Sequence, residues 1–270
     1  MQVLALILVF AACLHAQDTP PVAPAPPPTP PALENKNTPM VVPFKCTDED
    51  IHSAGLSCSD EEPCAVYLEL AAAASSGIRL FTAGNIHTAN VTLYSIILGS
   101  DDNGHTWREV HERIRSAGFD SLQFADADNG WAGGIVLSPL PQDPFLLHTT
   151  DGGKTWRQSP LFSETRYATI QQFRFDDKAS GNLITDRGAG SSSERYERYE
   201  SQDGGDSWTV KETSSKPLTL KRERNPVPPE WRVRADANSR SFQLEHRQGS
   251  RWTSVAQFAV NLGACRPQPQ

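Results

Sequence analysis

The sequence predicts an all-β fold, a β-propeller of about four four-stranded antiparallel blades. Three observations predict it. An eight-residue motif ending in tryptophan occurs at residues 100–107, 149–156 and 201–208, and its tryptophans are 49 and 52 residues apart. Short runs of strand-forming residues flank every copy. The 21 prolines and 18 glycines favour frequent turns over long helices.

The shared motif reads S/T-x-D-x-G-x-T/S-W, and we interpret it as the turn that joins the third and fourth strands of a blade. Its carboxylate and hydroxyl groups can hydrogen-bond the backbone of the turn, its Gly suits a positive φ, and its Trp begins the return strand. One recurring carboxylate is too little for a metal or catalytic site. The motif residues are Ser100, Asp102, Gly104, Thr106 and Trp107, then Thr149, Asp151, Gly153, Thr155 and Trp156, then Ser201, Asp203, Gly205, Ser207 and Trp208.

A fourth, degraded copy of the motif at residues 245–252 keeps Gly249 and Trp252. The four units span roughly residues 62–265, about 51 residues each, which is the size of a propeller blade. Because the motif Trp is expected to be buried, we expect Trp156→Ala to cost about 3–5 kcal/mol of unfolding free energy.

The N-terminal region predicts export to the periplasm or the cell exterior. Residues 3–14 form an apolar run that is short for a membrane span but typical of a signal peptide, which we assign to residues 1–16. Cleavage after Ala16 would release a soluble protein, whereas cleavage before Cys13 would leave a lipidated cysteine, and both routes remain open. Residues 20–31 contain eight prolines, so residues 17–43 are assigned as a semi-rigid linker and residues 44–270 as the propeller.

The other four cysteines agree with export, since disulfides persist outside the cytosol. They allow three pairings. The short spacing favours Cys58 with Cys64, which leaves Cys46 to pair with Cys265. The Cys46–Cys265 bond would contribute about 4–5 kcal/mol to the free energy of unfolding. It would also favour a ring closed within one chain over a ring completed by a second copy. No CxxC pair is present, so no metal site is expected.

The motif is that of the Asp-box, or BNR repeat, found in sialidases and many extracellular β-propellers. The stretch from Phe124 to Gly134, followed by the second motif copy, resembles a blade of the photosystem II stability/assembly factor family and its relatives in non-photosynthetic bacteria. The resemblance covers roughly 200 residues and implies a non-catalytic scaffold or assembly role with a protein partner in the cell envelope. Members often have seven blades, for which this chain lacks room. Nothing in the sequence identifies a photosystem partner, so the photosynthetic role is not carried over.

Candidate binding residues lie where a propeller forms its recognition face, in the strand 4-to-1 connections and the strand 2-to-3 loops. Residues 221–251 contain eight Lys and Arg against four acidic residues, although the whole chain has a net charge of −7. This basic stretch is able to bind a carboxylate, a sulfated glycan or an acidic protein, or it is simply a solvated face. The acidic balance of the chain argues against nucleic acid. The candidates are His87, Arg113, Arg115, Arg166, Tyr167, Arg187, Lys221, Arg222 and Arg224.

The alternative prediction is a carbohydrate-binding or sialidase-like propeller. Sialidase chemistry needs an arginine triad, a Tyr nucleophile with a Glu neighbour and an acidic proton donor, and Glu164 with Tyr167 would be the pair. The Phe-Arg-Ile-Pro motif of such enzymes is absent, and they generally need six blades. We therefore predict a protein that is not an enzyme and has no cofactor or metal. The alternating residues 194–200 are predicted to form an exposed strand with charge pairs.

Overall fold

The computed structural model describes residues 31–137, 142–162, 164, 167–188, 190, 194–220 and 229–267. Within them the chain is almost entirely β structure, because strand-forming runs alternate with turns rich in Gly, Asp and Ser. The described residues hold no helix that is long and apolar enough to cross a membrane. In chain order the elements are β1 (Leu33–Glu34), α1 (Asp48–Ser53), β2 (Cys64–Ser76), β3 (Arg79–His87), β4 (Thr92–Ser100), β5 (Thr106–Glu109), β6 (Ala117–Phe124), β7 (Gly130–Val136), β8 (Gln142–Thr149), β9 (Arg157–Pro160), β10 (Thr169–Phe175), β11 (Gly181–Asp186), β12 (Tyr196–Ser201), β13 (Thr209–Ser214), β14 (Trp231–Asp236), β15 (Ser241–Gln248), β16 (Arg251–Ala259) and β17 (Asn261–Cys265).

The strands form four antiparallel sheets, as an all-β propeller-like fold requires. Sheet I has the order β1-β5-β4-β3-β2-β17, sheet II contains β6 to β9, sheet III contains β10 to β13, and sheet IV contains β14 to β16. In sheets I, II and III three consecutive strands precede the motif turn and one follows it, as predicted. Only sheets II and III have the predicted four strands, because β1 and β17 extend sheet I and sheet IV stops at three.

The fourth motif copy is not an Asp-box turn, which corrects the prediction. Strands β15 and β16 are joined by a tight hairpin in which Gln248 pairs with Arg251 and Gly249 has a φ of 64°. The physical reason is the missing carboxylate, since Arg247 occupies the position of the motif Asp.

Apolar contacts order the sheets as an arc, IV–I–II–III. Alternation along β7 and β8 directs Ala132, Phe145 and Leu147 towards sheet I and Trp131 and Leu146 towards sheet III. A further cluster joins sheet I to sheet IV. Within the described part of the chain no apolar cluster joins sheet III to sheet IV. Among the described residues the sheets therefore form an open arc, without the closed ring that the Cys46–Cys265 pairing was expected to favour.

Both expected disulfides are present, with Cα atoms 5.1 Å apart for Cys46–Cys265 and 5.3 Å apart for Cys58–Cys64. The first bond does not close a ring, because Cys265 ends β17 and this strand pairs with β2 of sheet I. It instead fixes the N-terminal segment to sheet I.

The predicted linker ends earlier than residue 43. Leu33 pairs with Trp107 of β5, and Met40 forms a parallel bridge with Phe258 of β16. Met40 and Val42 are buried, so their apolar side chains make this segment part of the domain. The signal peptide and the proline-rich residues 20–30 lie outside the described residues.

Candidate protein-binding surface

The first Asp-box turn is held by its own side chains. The hydroxyl of Ser100 donates to Asp102 at 2.8 Å and accepts from the amide of Gly104 at 2.8 Å. The amide and hydroxyl of Thr106 donate to the same carboxylate at 2.8 and 2.7 Å. The indole Nε1 of Trp107 donates to the carbonyl of Gly104 at 3.1 Å, and Gly104 has a φ of 90°. Every position that the motif copies share is therefore used to hold the turn together.

The carboxylates of the other two copies make equivalent bonds, and these bonds control their pKa values. Burial opposes ionisation of Asp102, but the donors in its turn outweigh it and lower its pKa to about 2. Hydrogen bonds from Ser207 lower the pKa of Asp203 to about 2. Burial likewise opposes ionisation of Asp151, and the donors of its turn lower the pKa. All three carboxylates are saturated with internal donors, so the turns are structural.

The motif tryptophans differ in burial. Trp107 is fully buried, whereas Trp156 and Trp208 are only partly buried. Trp107 is covered by an edge-on contact with Phe258 of sheet IV, with ring centroids 5.2 Å apart. Trp131, which precedes the second copy in sequence, is also fully buried.

The Asp-box turns and the opposite ends of the sheets are two distinct rims. Because neighbouring strands run antiparallel, the β3–β4, β5–β6, β7–β8, β9–β10 and β11–β12 connections share the end opposite the Asp-box turns. We call this end the loop rim. His87, Arg113, Arg115, Tyr167 and Arg187 lie there, as predicted for a recognition face. Four other predicted candidates, Arg166, Lys221, Arg222 and Arg224, lie outside the described residues.

Arg113 is used to hold the N-terminal segment. Its Nε donates to Glu109 at 2.9 Å, and its Nη2 donates to the carbonyl of Pro43 at 2.7 Å. Its guanidinium carbon lies 5.5 Å from the ring centroid of Phe44. These contacts fix Arg113 between the β5–β6 connection and the N-terminal segment.

Arg115 holds helix α1 in the same way. Its Nη1 donates to Ser53 at 2.7 Å and lies 3.4 Å from the carboxylate of Asp50. Asp50 also accepts from the hydroxyl of Tyr94 and from Thr47, which caps the helix. Burial opposes ionisation of Asp50, but these partners lower its pKa, while burial and Asp50 raise the pKa of Tyr94 to about 12.

His87 makes a local contact. Its Nδ1 lies 2.7 Å from the carbonyl oxygen of Thr88, and its ring packs 5.7 Å from that of Tyr67. The His87 ring is therefore half-buried and packs against Tyr67 within sheet I.

The loop rim of sheet III carries a cluster of Tyr and Arg side chains, which we call the Tyr–Arg rim and define as Tyr167, Arg187, Arg195 and Tyr196. Tyr167 is 45% exposed. Arg195 makes a forked contact with Asp186 at 2.6 and 2.7 Å, and its guanidinium carbon lies 5.1 Å from the Tyr196 ring centroid. Tyr and Arg are among the side chains enriched where proteins bind proteins. Arg195 and Tyr196 are not among the candidates predicted from the sequence, although Arg195 ends the β11–β12 connection and Tyr196 begins β12.

Arg187 connects the Tyr–Arg rim to strand β12 of sheet III through an ion pair. Its Nη1 lies 3.5 Å from the carboxylate of Glu197, which also accepts a hydrogen bond from Tyr199 at 2.6 Å. Glu197 and Tyr199 are 5% and 4% exposed. This buried pair is not the pair that the alternative prediction names, since Glu164 and Tyr167 are both exposed. Within the described residues no group of His, Cys, Asp and Glu is arranged to hold a metal ion.

A family model described as "Photosynthesis system II assembly factor YCF48" matches residues 80–226, more than half of the chain. The match runs from β3 to beyond sheet III and stops before sheet IV. Among curated proteins no sequence matches the chain.

Three solved structures show partial similarity. YCF48 bound to a D1 peptide is 21% identical with a TM-score of 0.37, over 70% of this chain and 53% of that one. The GH74 xyloglucanase from Xanthomonas campestris is 18% identical with a TM-score of 0.36, over 49% of this chain and 18% of that one. A PL25 ulvan lyase is 9% identical with a TM-score of 0.41, over 75% of this chain and 54% of that one. This chain thus spans about half the length of YCF48, and these scores are too low to relate activities.

Proposed function

Because this chain belongs to the photosynthesis system II assembly factor YCF48 family, we propose that it is an exported, non-catalytic binding module that holds a protein partner in the cell envelope. The family match over residues 80–226 is the observation that carries the proposal. YCF48 itself has been solved with a bound D1 peptide. From that protein we take only the class of partner, a peptide segment.

The Tyr–Arg rim is the surface we assign to the partner. Tyr167 is exposed, and Asp186 fixes the Arg195 guanidinium over the ring of Tyr196, so little conformational entropy is lost on binding. Rigid Tyr and Arg side chains supply apolar contact and charged donors to a peptide backbone or carboxylate.

Export and envelope location are part of the proposal. The apolar residues 3–14 and the proline-rich residues 20–31 support a signal peptide followed by a spacer. The Cys46–Cys265 and Cys58–Cys64 disulfides support an oxidising compartment.

The test is capture of partners from cells that export the tagged full-length chain, after chemical crosslinking, with proteins and glycans both identified. We compare wild type with Tyr167→Ala/Arg195→Gln. The matched control, Ile78→Ala/Lys154→Gln, removes one exposed large side chain and one positive charge in or beside turns at the Asp-box rim. We expect one envelope protein with wild type and the control, and its loss with the Tyr–Arg variant. Glycan capture without a protein would favour the carbohydrate-binding alternative and overturn the proposal.

A further inference from the structure

A groove opens on the loop rim of sheet I. It is lined by residues 54–57, which follow α1, by residues 63–65 around the start of β2, and by residues 88–91 of the β3–β4 connection. Its volume is about 610 Å³, which lies in the range of clefts that bind ligands. We call it the loop-rim groove.

The surface of the loop-rim groove suits a peptide in extended conformation. Leu56, Pro63 and Val91 contribute apolar surface. Within the described residues, the exposed side chains of Ser57 and Asn90 make no hydrogen bond, so their hydroxyl and amide groups are free to pair with a peptide backbone. No aromatic side chain lines the groove, which leaves a sugar ring without a surface to stack on.

One edge of the groove is acidic. Residues 60–62 are Asp, Glu and Glu, and they lie in the loop closed by the Cys58–Cys64 disulfide, directly before the groove residues 63–65. The hydroxyl of Ser59 accepts from the amide of Glu62 at 2.9 Å, and the Ser59 amide donates to the Glu62 carbonyl at 3.1 Å. All three carboxylates are exposed, and none has an ion-pair partner within the described part of the chain. The loop therefore presents three free negative charges on a fixed turn.

Nearby cations do not neutralise this edge. Residues 45–64 hold six acidic residues against Lys45 alone, with the histidine neutral at pH 7. Arg115 pairs with two of the acidic residues, at 3.3 and 3.4 Å, and Arg266 follows the end of β17 beside the groove. Counting both arginines with Lys45 still leaves an excess of three negative charges among these residues.

We propose that the loop-rim groove binds an extended basic segment of the protein partner. Apolar side chains of the segment enter the groove, and its Lys or Arg side chains pair with residues 60–62. The proposal rests on the proposed function and adds a second contact on the same rim of the arc as the Tyr–Arg rim. The acidic edge precedes residue 80, where the family match begins. A polyanion is disfavoured because the excess negative charge repels it.

The test is titration of the full-length protein at low ionic strength with a fluorescein-labelled octapeptide in which Lys alternates with Val. Binding is followed by fluorescence anisotropy. The matched probe is the octapeptide in which Glu alternates with Val. We expect the Lys probe to bind and the Glu probe not to bind. Equal binding of the two probes would overturn the proposal, because charge would then play no part in recognition.

The first pair of variants tests the acidic edge. We expect Asp60→Asn/Glu62→Gln to weaken binding of the Lys probe by about fivefold or more, since two exposed ion pairs are lost. The control, Asp128→Asn/Glu230→Gln, removes the same two charges from exposed positions before β7 and β14 and is expected to change the affinity by less than about twofold. Equal losses in the two variants would overturn the proposal by showing a nonspecific charge effect.

The second pair tests the groove without changing any charge. Ala89 lines the groove from the exposed β3–β4 connection, so Ala89→Tyr places a large side chain in it, whereas Ala89→Ser leaves it open. We expect Ala89→Tyr to melt like wild type and to bind the Lys probe about fivefold more weakly, and Ala89→Ser to bind it like wild type. Wild-type affinity in Ala89→Tyr would overturn the proposal, because the peptide would then bind outside the groove.

Capture from cells separates this proposal from the proposed function. Capture of the envelope partner at wild-type level by Asp60→Asn/Glu62→Gln/Ala89→Tyr would overturn the groove contact and leave the proposed function standing. Capture of no protein by wild type, with the Lys probe still bound in the groove, would overturn the proposed function and leave a peptide-binding groove. Self-association of wild type that this triple variant abolishes would overturn the assignment to a partner, because the occupant would be a second copy.

Discussion

The three Asp-box carboxylates stabilise their turns only while they are ionised. Asp102 and Asp203 have a pKa of about 2 in the folded protein, below the ordinary value of 3.8. The unfolded chain therefore binds more protons than the folded chain between these values. Their stabilisation is complete above about pH 4 and is lost as the pH falls towards about 2.

We accordingly expect the melting temperature to fall steeply between about pH 4 and about pH 2, and Asp102→Asn/Asp203→Asn to flatten that dependence. Thermal unfolding followed by circular dichroism across this range checks it. As a control, Asp60→Asn/Glu61→Gln removes two exposed carboxylates that lie outside the three Asp-box turns. A double variant with the same acid slope as wild type would contradict the account.

The more deeply a motif tryptophan is buried, the more it is expected to contribute to the free energy of unfolding. Trp107 is fully buried, so Trp107→Ala is expected to cost about 3–5 kcal/mol of unfolding free energy. Trp156 is only partly buried, so its replacement by Ala is expected to cost less than that range. Urea unfolding measures both, and a larger loss for Trp156 than for Trp107 would be inconsistent with the structure.

The sequence motif predicts the Asp-box turn, but it does not predict that Trp107 contributes more to stability than Trp156. Spacing alone identifies the Asp, Gly and Trp positions, because the turn is made by residues close in sequence. The cover over Trp107 comes from Leu33 and Phe258, which are distant in sequence. A pattern of local residues has no information on such contacts.

At the scale of elements, the N-terminal segment and β17 are fixed to each other by the Cys46–Cys265 disulfide. This bond spans 219 residues, whereas Cys58–Cys64 spans 6. In the loop-entropy model, closing the long loop contributes about 5 kcal/mol to the free energy of unfolding, and closing the short loop contributes about 2 kcal/mol.

We expect Cys46→Ser/Cys265→Ser to lower the urea midpoint clearly more than Cys58→Ser/Cys64→Ser. Unfolding of the two variants under identical oxidising conditions makes the comparison. A larger effect from the short-range bond would show that loop length does not control this stabilisation.

The outer face of sheet III carries polar residues where the equivalent face of sheet II carries apolar ones, which explains why the arc ends at sheet III. Trp131 and Leu146 of sheet II face sheet III and are fully buried. The corresponding strand positions of sheet III hold Asn182 and Arg198, which pack against no further sheet among the described residues. The sequence predicts strands beside the degraded fourth motif copy, and a ring closed within one chain would place them beside sheet I, where sheet IV lies. The sequence does not predict that, within the described residues, no apolar cluster joins sheet IV to sheet III.

At the scale of the whole molecule, the two ends of the arc are covered by ion pairs rather than apolar side chains. A second copy would have to bury these charges to complete a ring, at a cost in desolvation. We therefore expect a monomer in solution, measured by light scattering at several concentrations. A stable dimer that survives dilution would argue for completion of the ring by a second chain.

A photocrosslinking amino acid reports whether the partner binds at the loop rim of sheet III. The residue is placed at position 167 on the Tyr–Arg rim or at position 78 on the Asp-box rim, in full-length protein exported by living cells. We expect one dominant crosslinked envelope protein from position 167 and none from position 78. Equal crosslinking from both positions, or none from position 167 with a partner captured from position 78, would show that the loop rim of sheet III does not bind the partner.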